Sequence, residues 1–360
     1  MAYMELDRNK LAHNFKFLQK MFKEHNIEWS VVTKLLCGHP LYINVLEELG
    51  ITEVSDSRLE NLKRIKEQES ERLKPIFIKP PALSAIPEVV RCADISFNTE
   101  LKTIRALSAE AKKQNRTHKI FIMLELGELR EGVMRDEFLD VFEEVLKLPN
   151  IKVLGIAANF SCLYGVLPSI DKMMQLILYK ELIKEKFDYD IEFVSAGSSV
   201  VIPMIKNNTL PEGINHFRVG ETLFMGTDLY HDEHIKGMAK DIFTLRAEII
   251  ELAEKPIVPD GKMGSNVEGE SFQFPRKKVG KTSYRAIVDL GLLDTDRDHI
   301  FPADDSIEIV GASSDMMVMD LKNNKNGYKL GDFVEFTMDY VGALHLLNSP
   351  YVEKRVKAVR

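Results

Sequence analysis

The chain has 360 residues, 45% hydrophobic and 29% charged, with 48 Lys and Arg against 55 Asp and Glu. That is enough chain for a large core and two domains, and a net charge of −7 excludes a general nucleic-acid binder, which needs a basic surface to displace counterions. No apolar run approaches the ~20 residues that span a bilayer, residues 1–6 lack a signal-peptide core, and Cys37, Cys92 and Cys162 are too scattered for a disulfide framework or a metal knuckle. A soluble, reducing, cytoplasmic setting is expected, with no membrane and no nucleic-acid partner.

Residues 6–22 read as a helix, with Asp7 placed as an N-cap before Leu11, Phe15 and Leu18. Short β-branched runs then alternate with amphipathic stretches. The predicted strands are 29–34, 51–55, 75–79, 93–97, 119–125, 152–158, 191–195 and 216–219, with helices such as 98–113, 135–146 and 171–186 between them. Eight β-then-α units suggest an α/β fold, a TIM-type (β/α)8 barrel, although a doubly wound open sheet gives a similar string. After about residue 240 the rhythm changes to strands with few helices: 244–252, 284–290, 306–311, 316–321 and 332–338, joined by turns at 259–261 and 323–327. The chain is therefore divided into a barrel domain, 1–235, and a mostly-β C-terminal domain, 236–360. The stretch 259–281 is the longest irregular segment, which marks it as mobile or functional.

Barrel enzymes place their chemistry at the C-terminal ends of the strands. The first strand closes on Val31-Val32-Thr33-Lys34. A lysine there is either an edge residue reaching solvent or a desolvated amine suited to a Schiff base. The seventh strand ends Ser195-Ala196-Gly197-Ser198-Ser199, which serves equally as a capped turn or as a phosphate cradle of backbone N–H groups. Asp228, His231, Asp232 and His234 have metal-like composition but loop spacing, and they read as a solvated loop, so no metal is expected. The mixed-charge run 67–74 and the basic run 112–116 read as exposed helix ends.

Lys34 is followed by Cys37-Gly38-His39 and preceded by Glu5-Leu6-Asp7 with Leu11, His13 and Asn14. With the later motifs in order, the sequence resembles the alanine racemase family of pyridoxal 5'-phosphate (PLP) enzymes. The resemblance implies PLP on Lys34. It identifies the Glu125–Gly132 stretch with the family's acid-x-G-x-x-R-x-G element, which puts Arg130 at the site mouth to position the substrate carboxylate or the cofactor, as a guanidinium fork suits an oxyanion. Without the family, Arg130 reads as a surface ion pair with Glu128 or Glu131. The resemblance also implies that Asn159 lies by the pyridine ring, where the family usually has histidine, and that Ser198 and Ser199 touch phosphate. The Arg218-Val219-Gly220-Glu221 run matches an R-x-G element, so Arg218 is expected at the pyridine nitrogen, with backbone N–H groups of Gly220 and Glu221 at the phosphate. Tyr340 is expected to reach the phosphate too, or else to be a sheet tyrosine.

Racemisation takes a proton from one face of Cα and delivers one to the other. Lys34 is the expected base on one face. The family's second tyrosine, from the partner's β domain, has no counterpart in 264–269, and Glu268 or Asp315 is the expected substitute. The resemblance is closest to the branch containing the ornithine racemases, through 93–98, 126–132, 210–214, 217–221, 294–296 and 311–315. That branch implies a basic amino acid, and Asp294, Asp296 and Asp315 are expected to bind its distal ammonium, unless they only cap turns. It also implies a homodimer whose active sites draw on both subunits. The alternatives are an alanine, serine or broad-specificity racemase, or a PLP-binding regulator without turnover. A decarboxylase is disfavoured because no cysteine follows Cys162, and an aldolase because it needs a metal.

Overall fold

A computed structural model describes residues 1–68 and 72–358, so residues 69–71 of the charged run 67–74 lie outside it. In chain order the elements are β1 (Tyr3–Leu6), α1 (Arg8–Glu24), β2 (Glu28–Val32), α2 (Pro40–Glu48), β3 (Glu53–Asp56), α3 (Leu59–Glu67), β4 (Lys74–Phe77), α4 (Ile86–Cys92), β5 (Ile95–Asn98), α5 (Leu101–Lys113), β6 (His118–Met123), α6 (Phe138–Leu146), β7 (Ile151–Ala157), α7 (Ile170–Phe187), β8 (Phe193–Ser195), α8 (Ile202–Lys206), β9 (His216–Val219) and α9 (Glu221–Met225). There follow β10 (Thr227–Asp228), β11 (Glu233–His234), β12 (Phe243–Pro256), β13 (Thr282–Val288), β14 (Ile300–Pro302), β15 (Glu308–Ala312), β16 (Met317–Asp320), β17 (Phe333–Met338), α10 (Tyr340–Asn348) and β18 (Glu353–Val356). Two compact units result, one of Asn9–Lys240 and the other of Met1–Arg8 with Asp241–Arg360.

In the first unit β2 to β9 form a closed parallel barrel, so the eight-strand reading holds and the open sheet is excluded. Closure is made by β9 against β2, with Ser30 opposite Arg218 and Val31 opposite Val219. The apolar side of the interior includes Ile76, Ile95, Phe97, Phe121, Met123, Leu154 and Ala157, all buried, with the Phe97 and Phe121 rings stacked at 4.5 Å. Polar side chains share that interior in hydrogen-bonded sets. Ser96 Oγ lies 2.8 Å from His118 Nε2, and Ser195 Oγ lies 2.9 Å from His216 Nδ1. Burial without a carboxylate partner drives both imidazoles down, His118 to about 4 and His216 to about 3, with Arg116 and Arg218 adding like-charge repulsion.

The second unit is a sheet in the order β14-β17-β12-β13-β16-β15, with β1 pairing antiparallel to β12 and parallel to β18. β12 is long enough to serve two neighbourhoods because its register shifts between Ile249 and Glu251. Ahead of the shift it pairs with β1 and β17; beyond it, with β13. β1 explains two departures from the sequence reading. Residues 3–6 are strand, so Leu6 ends a strand rather than opening the helix expected over 6–22, and α1 starts at Arg8; residues 1–8 join the β unit rather than the barrel. Asp7 sits just before α1, and its carboxylate accepts from Lys357 Nζ at 2.9 Å. Helix α10 was not predicted. It starts where Asp339 accepts from the Gly342 N–H at 2.9 Å, an N-cap just after the last predicted strand, 332–338.

The buried histidines predict a pH-dependent stability. Their folded pKa values lie below the ordinary 6.5, so the unfolded chain binds protons first. Stability from them is complete above about pH 6.5 and is lost as pH falls toward 4, by about 1.4 kcal/mol per pH unit for each. Asp56, raised to about 6 by burial, runs the opposite way between pH 6 and 4 and offsets part of the loss. Chemical denaturation between pH 7 and 5 should show a shallower decline for His118→Gln than for the unaltered chain.

Candidate active site

The candidate residues of the barrel lie at or just beyond the C-terminal ends of its strands. Lys34 does not close a strand as expected. β2 ends at Val32, Thr33 adopts φ −96° and ψ 2°, and Lys34 opens a single 3-10 turn to Leu36. The turn continues through Cys37 and Gly38, both at positive φ, into His39, which caps α2 ahead of Pro40. A β-carbon on Gly38 would lie 2.8 Å from the Asn61 carbonyl oxygen, so only glycine allows this turn to pack on α3. Lys34 itself is half-buried.

Arg218 on β9 is buried, with its guanidinium 4.7 Å over the Phe97 ring. It donates to the Ala158 carbonyl (2.9 Å) and the Ser195 hydroxyl (3.2 Å). Burial lowers its pKa to about 10, so it stays cationic at neutral pH. Its backbone N–H donates to the Gly197 carbonyl at 3.0 Å. The two loops expected to hold phosphate are joined directly, because the Thr222 N–H donates to Ser199 Oγ at 3.3 Å. Ser198 precedes the 3-10 turn Ser199–Val201, and Gly220 precedes α9, whose first residue is Glu221. Closure leaves little room at Gly220, where a β-carbon would sit 3.0 Å from Val32 Cβ.

Arg130 donates to the Glu131 carboxylate and to Cys162 Sγ, and the Asn159 amide oxygen accepts from its Nη1 at 3.1 Å. The ion pair with Glu131 is therefore present, and it holds the Arg130 pKa above its ordinary value. Glu128 has a different task that the sequence reading missed. Its buried carboxylate accepts from five backbone N–H groups of one loop, those of Ser161, Cys162, Leu163, Tyr164 and Val166. Burial pushes its acid upward, but these donors outweigh that and hold it below the usual range. A glutamate 33 to 38 positions before its donors leaves no local signature in sequence.

A lysine in the turn just past a strand, a buried guanidinium inside the barrel and a pair of linked small-residue loops form a donor set that fits PLP: an amine for its aldehyde, a cation for its ring and N–H groups for its phosphate.

The remaining candidates lie in the β unit. The Leu292 and Leu293 N–H groups donate to the Ser313 and Ser314 carbonyls, which zips the loop carrying Asp294 and Asp296 to the loop carrying Asp315. Asp294 accepts from the Gly291 N–H (3.2 Å) and Ser349 Oγ (2.6 Å), and Asp296 caps a turn by accepting from the Asp298 N–H (3.0 Å). Both line a cavity of about 450 Å³ with His345 and Asn348. Asp315 accepts from Ser313 Oγ at 3.2 Å. Glu268 pairs with Arg297 at 3.5 Å, and Arg297 also binds Glu270 at 2.6 Å. Tyr340 is the first residue of α10. Elsewhere, Asp228, His231 and Glu233 bring one ligand atom each within 4.8 Å of the others, with His231 Nδ1 3.0 Å from Asp228; Asp228 also accepts from two backbone N–H groups of its own hairpin, at Tyr230 and His231. Among the described residues no helix is long and apolar enough to cross a membrane.

Residues 6–228 match the family described as alanine racemase, N-terminal domain. Over 352 residues the chain is 35% identical to an ornithine racemase of Acetoanaerobium sticklandii, covering 98% of both. It is 31% identical to a lysine racemase of Thermotoga maritima, covering 97% of this chain and 96% of that one. The alanine racemase of Bartonella henselae, solved with covalently bound pyridoxal phosphate, shares the fold with a TM-score of 0.74 at 16% identity, over 99% of each chain. The chain belongs to the alanine racemase family and is a PLP-dependent amino-acid racemase.

Glu128→Gln replaces an acceptor oxygen with a donor facing N–H groups. It should cost about 1.5–3 kcal/mol and speed hydrogen exchange across 161–166, read by mass spectrometry. Unchanged exchange there would mean that the carboxylate does not organise the loop.

Proposed function

We propose that this racemase interconverts L- and D-ornithine, or a closely related basic amino acid, with PLP carried on Lys34. Bound PLP draws electrons from Cα and so acidifies its proton. Lys34 would hold PLP through its amine and, with that amine free, would accept the proton on one face of Cα. Glu268 or Asp315 exchanges a proton on the other face, in place of the tyrosine absent from 264–269. Arg218 holds a fixed positive charge at the ring nitrogen and does not surrender a proton to it. Ser198, Ser199, Gly220, Glu221 and Tyr340 hold the phosphate, and Asn159 and Arg130 border the ring and the substrate carboxylate.

The observation that carries the substrate reading is the charge of the β unit's loops. Glu268, Glu270 and Asp298 pair with one guanidinium, that of Arg297, while Asp294, Asp296 and Asp315 sit on two loops joined by backbone hydrogen bonds. Such an excess of carboxylates suits a second ammonium on the substrate and offers nothing to the methyl of alanine. The names of the two relatives support the same choice. In the dimer we propose, each β unit faces the partner's barrel and completes its site.

Purified protein with PLP and L-ornithine, followed by chiral chromatography, should yield D-ornithine, with L-lysine turned over more slowly and L-alanine and L-serine least. Lys34→Ala should abolish turnover, a loss of at least about 10²–10⁴-fold. Turnover of alanine in preference to ornithine would remove the diamino-acid reading and leave the racemase. Asp296→Ala should lower kcat/KM for ornithine by about 1.5–3 kcal/mol, roughly ten- to a hundredfold, with little change for alanine. An equal loss for both substrates would mean that Asp296 only caps its turn.

A further inference from the structure

Asp56 ends β3, the strand beside the one that leads to Lys34, and none of the roles assigned so far uses it. Its side chain is fully buried. One carboxylate oxygen accepts from the Arg58 N–H at 2.8 Å, the other from Thr33 Oγ1 at 3.1 Å, and Asn61 Nδ2 lies 3.2 Å from both. Thr33 immediately precedes Lys34, and its own N–H donates to the Ser55 carbonyl at 2.8 Å. The Lys34 turn is tied to the same helix by two further contacts: the Gly38 backbone rests on Asn61, and Arg64 Nη1 donates to the Cys37 carbonyl at 2.9 Å. The lysine and the carboxyl are thus fixed to one frame.

We propose that Asp56 is a positioning residue for Lys34, whose buried carboxylate fixes the lysine turn through Thr33 and Asn61 and sets the proton affinity of the lysine amine. This rests on the reading that Lys34 carries the cofactor. Facing Asp56 are Thr33, just past the end of β2, the Arg58 N–H just before α3, the neutral Asn61 amide on α3 and the Ile78 N–H on its backbone carbonyl, with the charge of Lys34 bearing on it electrostatically. Lys34 is the charge among these that its ionisation feels, while Arg58 offers only its backbone. Burial moves the acid up to about 6, with the hydrogen bonds and Lys34 pulling the other way. Above that pH the carboxylate is charged and favours a protonated lysine nitrogen; below it the pull is gone.

The test is the visible absorbance of the cofactor-loaded enzyme, recorded against pH without substrate. The unaltered protein should show a spectral step near pH 6, where Asp56 titrates. Asp56→Asn keeps the shape and removes the charge. It should lose that step. Asn61→Ala removes bonds that favour the charged carboxylate, so it should move the step to higher pH. A purely structural Asp56 predicts coincident profiles for all three, and that result would overturn the proposal. If Asp56→Asn does not fold, Asn61→Ala alone decides by whether its step moves. Absence of any lysine-bound absorbance in the unaltered protein would overturn both this proposal and the cofactor reading. Profiles that coincide in the presence of that absorbance overturn only the proposal.

Discussion

The candidate site rests on the pairing of β9 with β2. Lys34 and Arg218 are far apart in sequence, and only ring closure makes their strands neighbours, with Ser30 opposite Arg218 and Val31 opposite Val219. The pairing is also sterically demanding. Gly220 packs tightly on Val32, so that a β-carbon at 220 would meet Val32 Cβ at 3.0 Å. A register slip of one residue would turn the Arg218 side chain out of the barrel and break its contacts with Ser195, Ala158 and Phe97 together. Closure therefore fixes the lysine turn, the buried cation and the linked loops at 199 and 222 as one geometry rather than as three separate sites.

Charge is arranged in the same economical way inside the barrel. Arg218 is held within an interior that also contains His216, and the two are not both charged. Burial and the neighbouring guanidinium keep His216 neutral, while Arg218, even lowered to about 10, remains cationic at neutral pH. Ser195 mediates between them by contacting both side chains. The interior thus carries a fixed positive charge at its C-terminal end with neutral polar groups beneath it, a field suited to anionic or electron-rich ligands. The loops of the β unit have the opposite character, with three carboxylates, Glu268, Glu270 and Asp298, paired with the single guanidinium of Arg297.

Much of this was legible in the sequence because it is written locally. Each barrel strand is a short apolar run and each following helix an amphipathic one, so their number and order could be read, with ends displaced by a few residues. Residues 33 and 34 show the limit: a lysine after two valines looks like strand, but backbone at Thr33 turns away before it. What could not be read depends on partners distant along the chain. β1 is strand because β12 and β18, at the other end of the sequence, supply its hydrogen bonds. The role of Glu128 depends on a loop more than 30 residues later, and that of Asp56 on Thr33, 23 positions earlier. The resemblance to a family named the barrel's candidate residues, but it had no means of indicating which side chains hold them in place.

Arg130 shows why that holding matters. A free arginine on a surface loop samples many rotamers, and binding a carboxylate would cost it that freedom. Here Glu131, Asn159 and Cys162 hold the guanidinium before any ligand arrives. Two of those three belong to the segment after β7, and Cys162 lies in the loop whose N–H groups converge on Glu128. The ion pair with Glu131 has two consequences: it reduces the positive charge that Arg130 offers, and it fixes the direction in which the remaining N–H groups point. In the role proposed for Arg130, orienting a small zwitterion, direction is worth more than unpaired charge, because the ordering cost has been met during folding rather than at binding. Asn159 fits this arrangement as a neutral amide does and a histidine would not, since its oxygen accepts from Arg130 without adding a second titrating group beside the guanidinium.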